Sequence, residues 1–381
     1  MRLASLRWTR YRLPFAAGFT TAHGALRQRE GLILWLSATD GTTGVGDAAP
    51  LTEFGGGNIE QCESALRVLA PELLGSDVDN LPDLLDERLD ERLETAALHC
   101  GIETAALDLL ARYQGRPLAA LLSNGPPAWS VAVNATIGEP ELEQAVAAAQ
   151  AALSVGFRTI KLKIGMAKDV AGEVSRVGAV RDALGPDIAL RLDANGAWDA
   201  ATASAALRQF APYNIEFVEQ PVAAADISGL ARVRRGSPIP VAADEAVSSL
   251  AAARQIIEWQ AADVLVIKPM VCGGLHSGRT IIEHAIAAGL RVVVTSSIES
   301  GIGIAAALHL AATLPAGAPA CGLATADLLE DDLIVDPLTI IGGRMLLPGG
   351  AGLGVMVDEA AVGRFRDVRR DACSGDVSGQ R

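Results

Sequence analysis

From about residue 129 onward the chain repeats one pattern, a short β-rich run followed by an Ala-rich helical stretch. Successive runs begin 24 to 29 residues apart, which is enough chain for one strand and a helix that returns to the next parallel strand. Such apolar strands, separated by amphipathic helices, are typical of a parallel sheet covered by helices. The eight runs are Ser130–Ile137, Thr159–Ile164, Ile188–Asp193, Ile215–Glu219, Pro240–Ala243, Val264–Lys268, Arg291–Ser296 and the weaker Ala320–Leu323.

Eight strand–helix units over about 200 residues predict an α/β fold, a closed (β/α)8 barrel of the TIM type. An open doubly wound sheet is the alternative, and it would be expected to carry a Gly-rich phosphate-binding turn after its first strand. No GxGxxG motif follows Ser130–Ile137. The pattern therefore favours a barrel, placed at residues 126–325, as the catalytic domain.

The remaining chain is predicted to form a cap on this barrel. Residues 1–125 have the pattern of a separate α+β capping domain, with a hairpin around Asp40-Gly41 and two loops that could serve as lids, Phe15–Gly24 and Leu51–Asn58. Residues 326–381 are expected to return to this capping domain and to end in a disordered tail. The predicted elements are strands Leu32–Ser37, Thr43–Asp47 and Leu338–Leu347, and helices Ile59–Leu74 and Leu93–Gln114.

Charge and hydropathy exclude several classes of function. The net charge of −13 argues against a nucleic-acid surface, which needs a clustered basic face. No apolar run is long enough to span a bilayer, and no signal peptide is recognisable. We therefore expect a cytoplasmic protein that binds neither nucleic acid nor membranes, and a homo-oligomeric state stays open. The five cysteines are scattered without a CxxC pair and are expected to be reduced thiols.

Lysine usage is informative, because only four of the 32 basic residues are lysines: Lys161, Lys163, Lys168 and Lys268. Arginine can replace lysine wherever only a positive charge is needed, but it cannot lose its proton and so cannot act as a base. Chance survival is an acceptable explanation for Lys168 in its polar loop. It is a poor one for the three lysines that lie in strand-like runs.

Ionisable residues stand at the ends of successive predicted strands, where a barrel of this type carries its chemistry. Asp193, Glu219 and Asp244, here called the acidic trio, end three adjacent strands, so their carboxylates can converge. Carboxylates without thiolate or imidazole suit a hard cation, Mg²⁺ first and Mn²⁺ second. Each residue alone could be a helix N-cap or a turn residue.

Lysines flank the acidic trio, with Lys163 on the second strand and Lys268 on the sixth. Burial and a neighbouring cation lower the pKa of an amine, which suits a general base near neutral pH. We therefore expect proton abstraction next to the carboxylate of a small-molecule substrate, with the metal stabilising the enediolate. The order Lys, Asp, Glu, Asp, Lys on strands two to six is more specific than any single residue. His276, in the loop after the sixth strand, is a weaker candidate for approaching the substrate.

These residues resemble the muconate-lactonizing subgroup of the enolase superfamily over nearly the whole chain. The resemblance implies that the acidic trio binds Mg²⁺, that Lys163 and Lys268 lie on opposite sides of the substrate as the catalytic residues, and that Asn195 supports the metal site. The matching pieces are Lys161-Leu162-Lys163, Leu192-Asp193-Ala194-Asn195, Val218-Glu219-Gln220-Pro221, Ala243-Asp244-Glu245, Ile267-Lys268-Pro269, Gly44-Val45-Gly46-Asp47 and Ile102-Glu103-Thr104-Ala105.

Within the subgroup, the chain is most similar to the o-succinylbenzoate synthases. The segments that carry this similarity are Ala22-His23-Gly24, Arg29-Glu30-Gly31, residues 295–303 and Gly322-Leu323-Ala324-Thr325. The resemblance implies a dehydration in menaquinone synthesis. Racemisation of N-succinylamino acids, dipeptide epimerisation and muconate cycloisomerisation stay open as alternatives. Candidates for substrate contacts or for support of the metal site are Lys161, Arg191, Asn195, Ser296, Ser297, Glu299 and His23.

Dipeptide epimerases carry an Asp-x-Asp pair at the end of the eighth strand, where it holds the substrate ammonium. This chain has Leu323-Ala324-Thr325 there, without a carboxylate. Asp327 lies close by in the sequence and keeps the epimerase interpretation open. The resemblance therefore favours a substrate without a free ammonium group.

Overall fold

The computed structural model describes residues 1–21, 24–52, 57–89, 95–123, 125–166, 170–367 and 374–378. An antiparallel sheet in the order β14-β1-β2-β3 forms the first part of the chain, and helices cover it. Its strands are β1 (Leu3–Thr21), β2 (Gly24–Ala38) and β3 (Thr43–Ala48), joined by the distant β14 (Ser374–Ser378). Its helices are α1 (Ile59–Leu73), α2 (Leu81–Leu89), α3 (Ala96–Tyr113) and α4 (Ala119–Leu122).

The predicted hairpin is confirmed. Strands β2 and β3 pair antiparallel, with Leu32 opposite Ala48 at one end and Ser37 opposite Thr43 at the other. Asp40 closes the turn by accepting a hydrogen bond from the Thr42 amide at 2.9 Å. Helix α3 packs directly on β3, and a Cβ atom at Gly46 would lie 2.0 Å from the carbonyl oxygen of Gly101. Glycine is therefore required in this part of β3, because a side chain would separate the helix from the sheet.

A curled parallel sheet follows, in the order β11-β10-β9-β8-β7-β6-β5, with helices on its outer side. The strands are β5 (Ala135–Ile137), β6 (Thr159–Lys163), β7 (Ala189–Asp193), β8 (Ile215–Glu219), β9 (Val241–Ala243), β10 (Val264–Ile267) and β11 (Arg291–Val294). The helices are α5 (Leu142–Ser154), α6 (Val170–Leu184), α7 (Ala200–Phe210), α8 (Ile227–Gly236), α9 (Leu250–Glu258), α10 (Pro269–Cys272), α11 (Leu275–Ala287) and α12 (Gly301–Ala311).

Several of these helices begin at side chains that cap them. Asp199 accepts a hydrogen bond from the Thr202 amide at 2.7 Å before α7, and Ser249 accepts one from the Ala252 amide at 3.1 Å before α9. These caps satisfy backbone donors that the first turn of a helix leaves free. The two caps mark where α7 and α9 begin, in the loops that follow β7 and β9.

Two predicted strands differ from expectation. The first run divides, because β4 (Ser130–Ala132) pairs with β13 (Arg344–Leu346), and only β5 joins the parallel sheet. The last run, Ala320–Leu323, is not a strand and makes single parallel bridges at Cys321 to Val133 and at Gly322 to Thr295. The described architecture is therefore a seven-stranded parallel sheet with an N-terminal strand domain.

The C-terminal segment corrects two expectations. The predicted strand Leu338–Leu347 is the hairpin β12 (Ile340–Ile341) and β13, and it pairs with β4 rather than with the capping domain. The expected disordered tail is in part a strand, because β14 pairs with β1. The segment still reaches the first domain, where the Leu118 amide donates to the carbonyl of Gly352 at 2.8 Å. It also includes α13 (Glu359–Phe365).

The apolar residues divide into one large cluster that runs through the barrel helices and a second cluster inside the first domain. Met270 of α10 belongs to the second cluster, so the two regions share packing. Four cysteines of the described part are buried and free, and burial raises the pKa of the Cys272 thiol to about 12. None of the helices in the described ranges is long and apolar enough to cross a membrane.

Candidate active site

The acidic trio converges at the carboxyl edge of the parallel sheet. Asp193 ends β7, Glu219 ends β8, and Asp244 follows β9 directly. Asp193 and Glu219 are paired residues in neighbouring strands. All three side chains are buried, and one ligand atom from each lies within 4.8 Å of the others. The strand order thus brings together the three carboxylates that the sequence predicted to meet.

Lysines reach the acidic trio from both of its ends. From β6, the Nζ of Lys163 donates to Asp193 Oδ2 at 2.8 Å, and the Nζ of Lys161 donates to Glu219 Oε2 at 2.9 Å. After β10, the Nζ of Lys268 donates to Asp244 Oδ1. Since β6 and β10 lie on either side of β7, β8 and β9, Lys163 and Lys268 approach the acidic trio from opposite directions.

Burial and charge act against each other in this cluster. Burial, together with the carboxylates of Asp193 and Asp244, raises the pKa of Glu219 to about 7 against the opposing effect of Lys161. Burial would also raise the pKa of Asp193, but Lys163 and Lys161 hold that pKa below its usual range. The site therefore contains one carboxylate whose charge the three lysines do not fully compensate.

These residues fit a hard divalent cation. The acidic trio offers only oxygen ligands, without histidine or cysteine among them, and such a set suits Mg²⁺ or Mn²⁺ better than zinc. Burial is the main cause of the raised pKa of Glu219, and the carboxylates of Asp193 and Asp244 add to it. A cation bound by the three carboxylates would offset both effects. The acidic trio is thus the candidate metal centre.

Two amide side chains position the charged groups. Gln220, in a left-handed backbone conformation with φ 37°, accepts hydrogen bonds from the amides of Asp244 at 2.9 Å and Ala246 at 3.2 Å. Asn195, with φ 43°, accepts from the Nζ of Lys163 at 2.6 Å and donates to Glu245 Oε1 at 2.7 Å. The left-handed conformation is common for asparagine but not for glutamine, and such residues often cluster at functional sites.

The sequence did not predict the chain of hydrogen bonds that runs from Lys163 through Asn195 to Glu245. Glu245 Oε2 is buried and has no hydrogen-bond partner in the described part of the chain, and burial raises the pKa of Glu245. A second acid directly after Asp244 was the available signal. The distance along the chain between Asn195 and Glu245 concealed their contact.

The end of β11 has a different character, with hydroxyl groups and one carboxylate but no lysine. The hydroxyls of Ser296 and Thr325 are 2.7 Å apart and form a hydrogen bond. The hydroxyl of Ser297 is buried and has no partner among the residues described, while its amide donates to the carboxylate of Glu299. Burial raises the pKa of Glu299 to about 7. The structure therefore places all the predicted strand-seven residues at the same edge as Lys268.

The other predicted contacts lie elsewhere or are not described. Arg191 lies two residues before Asp193 on β7. Its guanidinium stacks on the ring of Phe217 at 4.5 Å and donates a hydrogen bond to the carbonyl of Ala320 at 2.6 Å. Its hydrogen bonds in the described structure go to protein groups, so a substrate contact stays a prediction. His276 lies 2.5 Å from Glu103 at the start of α11, between the two regions. His23 lies outside the described residues.

Two family models cover most of the chain. Residues 5–123 match the mandelate racemase / muconate lactonizing enzyme N-terminal domain, and residues 144–361 match the enolase C-terminal domain-like family. The N-terminal match spans the antiparallel sheet and its helices. The C-terminal match contains the acidic trio and the lysines.

Individual relatives have different activities. The L-Ala-D/L-Glu epimerase of Bacillus subtilis (strain 168) is 30% identical over 365 residues, which is 93% of this chain and 97% of that protein. An o-succinylbenzoate synthase of Thermobifida fusca (strain YX) is 41% identical over 215 residues, 56% of this chain and 65% of that protein. The crystal structure of an N-succinyl Arg/Lys racemase from Bacillus cereus ATCC 14579 superposes with a TM-score of 0.90 at 25% identity, over 99% of this chain and 100% of that one. On its sequence, its fold and its convergent strand-end residues, the chain belongs to the muconate-lactonizing subgroup of the enolase superfamily.

Proposed function

We propose that the protein is an o-succinylbenzoate synthase, which removes water from 2-succinyl-6-hydroxy-2,4-cyclohexadiene-1-carboxylate in menaquinone synthesis. The observation that carries this proposal is the site itself, a buried acidic trio with an amine at each end. Such a site suits abstraction of a proton next to a carboxylate. The proposal places the protein among hydro-lyases.

In the proposed reaction Lys163 takes the proton alpha to the carboxylate of the substrate. The electron pair of that C–H bond first moves towards the carboxylate and gives an enediolate anion. It then forms the new C–C double bond as the C–O bond breaks, and Lys163 gives its proton to the departing hydroxide, which leaves as water. Lys268 places its positive charge beside the anion that forms. A divalent ion held by the acidic trio would supply further stabilisation of negative charge on the substrate carboxylate.

The end of the eighth predicted strand supports a substrate without an ammonium group. Leu323 is buried, and neither Ala324 nor Thr325 offers a carboxylate. Asp327, the nearby acid, is exposed in a short 3-10 turn. A free amine on the substrate would therefore lack a buried acidic partner here, which argues against a dipeptide. The 41% identity to the Thermobifida fusca synthase supports the same substrate.

Racemisation of an N-succinylamino acid is the second candidate function. Its substrate has no free ammonium group, so the argument from Leu323-Ala324-Thr325 does not exclude it. The superposition with the Bacillus cereus racemase over 99% of the chain favours it, and a lysine on each side of a substrate can serve both faces of one carbon. The two functions differ in the role of Lys268, which is a charge in dehydration and a base in racemisation.

We further infer that residues 320–323 close the barrel as its eighth strand, since they bridge to the segments at both edges of the sheet. The division into residues 1–125, 126–325 and 326–381, the magnesium ion and a cytoplasmic location are parts of the same proposal.

The test is a dehydration assay with the purified protein and Mg²⁺, run beside a panel of N-succinylamino acids in D₂O. The proposal expects o-succinylbenzoate to form. Deuterium incorporation into the alpha position of an N-succinylamino acid, without dehydration, would replace the proposal by the second candidate. Absence of both reactions would reject the two together.

A further inference from the structure

The loop after β11 contains a strained residue. Ile298 has a φ of 60°, in the left-handed region that β-branched residues avoid. Its side chain is buried. Such a conformation persists only when the surrounding structure enforces it. Ile298 directly follows Ser297, whose buried hydroxyl has no partner in the part of the chain described, so the strain lies next to a group that a substrate oxygen could use.

Arg29 of the first domain holds this residue through its backbone. The Nε of Arg29 donates to the carbonyl oxygen of Ile298 at 3.1 Å across the boundary between the two regions. The guanidinium is 1% exposed. It also donates to the carbonyl of Pro50 at 2.5 Å and to the carbonyl of Ala49. One buried side chain thus connects the stem of the Leu51–Asn58 loop to the strained residue.

A second contact fixes the other end of the loop that follows β11. Asp47 accepts hydrogen bonds from the amide and the hydroxyl of Ser300, the latter at 2.7 Å. The hydroxyl of Tyr11 donates to the Asp47 carboxylate at 3.0 Å. Ser300 is therefore held independently of Arg29. The backbone between Ser297 and Ser300 is thus held at two points. Asp47 holds Ser300, and Arg29 holds the carbonyl group of Ile298.

We propose that Arg29 is a positioning residue that keeps Ile298 in the left-handed conformation and thereby sets the place of the Ser297 hydroxyl at the substrate side of the site. The planar guanidinium donates to four carbonyl groups, those of Ile298, Glu30, Pro50 and Ala49, in a fixed geometry that a lysine ammonium with its three donors cannot reproduce. The role in substrate binding rests on the proposed function. The role in loop conformation does not, because it concerns the chain alone.

The experiment measures the rate of backbone hydrogen exchange in the peptide that contains residues 295–301. It compares the effect of Arg29→Lys in two backgrounds that differ at Ile298. Ile298→Gly and Ile298→Ala both remove the buried side chain, but only glycine takes a positive φ without strain. Arg29→Lys is introduced into each background. We expect it to accelerate exchange about tenfold in the alanine background and much less in the glycine background.

The alternative is that Arg29 only ties Ala49 and Pro50 to the rest of the first domain. Arg29→Lys would then accelerate exchange equally in both backgrounds, and this result would overturn the proposal. Thermal unfolding of all four variants verifies that each is folded.

The same variants test the catalytic consequence. Arg29→Lys should raise KM more than it lowers kcat, and the effect should be smaller in the glycine background. If the protein lacks the proposed dehydration activity altogether, the exchange cycles still decide the role of Arg29. The two proposals can therefore fail separately.

Discussion

The two sides of the carboxyl edge of the sheet have opposite chemistry. From β6 to β10 the strand ends carry three lysines and the acidic trio, and each of these residues takes part in an ion pair. From β11 to residue 325 there is no lysine, and the polar groups are hydroxyls, with Ser296 bonded to Thr325, and the carboxylate of Glu299. The charged side is held by the barrel strands themselves, whereas the hydroxyl side is held from outside, by Arg29 and Asp47 of the first domain.

This difference suggests how one family supports several reactions. A base, together with a divalent ion that stabilises the resulting anion, can serve any reaction that begins with proton abstraction next to a carboxylate. The relatives named above nevertheless include an epimerase, a racemase and a synthase. We infer that the charged side performs the shared step and that the hydroxyl side, with the first domain, contacts the part of the substrate that varies.

The largest expected effect separates Lys163 from Lys268 on the charged side. Lys163→Ala and Lys163→Arg should each lower kcat for dehydration about a thousandfold, because arginine keeps the charge but cannot accept a proton. Lys268→Arg should lose only about tenfold, because its proposed role is electrostatic. Steady-state kinetics of the three variants, with circular dichroism as the check on folding, make the comparison.

Two outcomes would change the assignment. Substantial dehydration by Lys163→Arg would remove Lys163 from the role of base. Loss of about a thousandfold in both Lys163→Arg and Lys268→Arg would indicate two bases, as racemisation of an N-succinylamino acid requires.

A smaller effect is expected in the pH dependence of the free energy of unfolding. It involves helix α12, which follows the loop after β11 on the hydroxyl side. His309 of this helix is buried, accepts from the Ala119 amide at 3.0 Å and lies 3.0 Å from the Leu353 carbonyl. Burial lowers the pKa of His309 to about 4. In the unfolded chain histidine takes a proton below about pH 6.5, so the contribution of neutral His309 to stability is complete above that pH and is lost as the pH falls towards 4.

The measurement is the free energy of unfolding of the wild type and of His309→Gln at pH 7 and pH 5. Glutamine does not titrate, so the wild type should lose about 2 kcal/mol more than the variant between these two values. Equal losses would show that His309 is not neutral in the folded protein.

The strand-end residues were predictable because each depends on local pattern alone. A run of apolar residues that ends in Lys163, Asp193 or Glu219 places those side chains at one edge of a parallel sheet, whichever helices lie between. The structure confirms that the acidic trio converges.

Contacts between distant segments were not predictable in this way. The bond from Arg29 to Ile298 joins residues 269 positions apart, and nothing near either residue indicates the other. The pairing of β14 with β1 likewise depends on a partner at the opposite end of the chain. The left-handed conformation of Ile298 runs against its local propensity and is understood only from the contact that holds it.

The acidic trio is proposed to bind a divalent ion between Lys163 and Lys268, and calorimetric titration of Mg²⁺ measures this binding. Wild-type protein and Asp327→Asn, which alters an exposed acid outside the trio, should bind one ion with the same affinity. Asp193→Asn should bind about a hundredfold more weakly. Equal affinity in all three proteins would contradict the account, because the ion would then lie elsewhere.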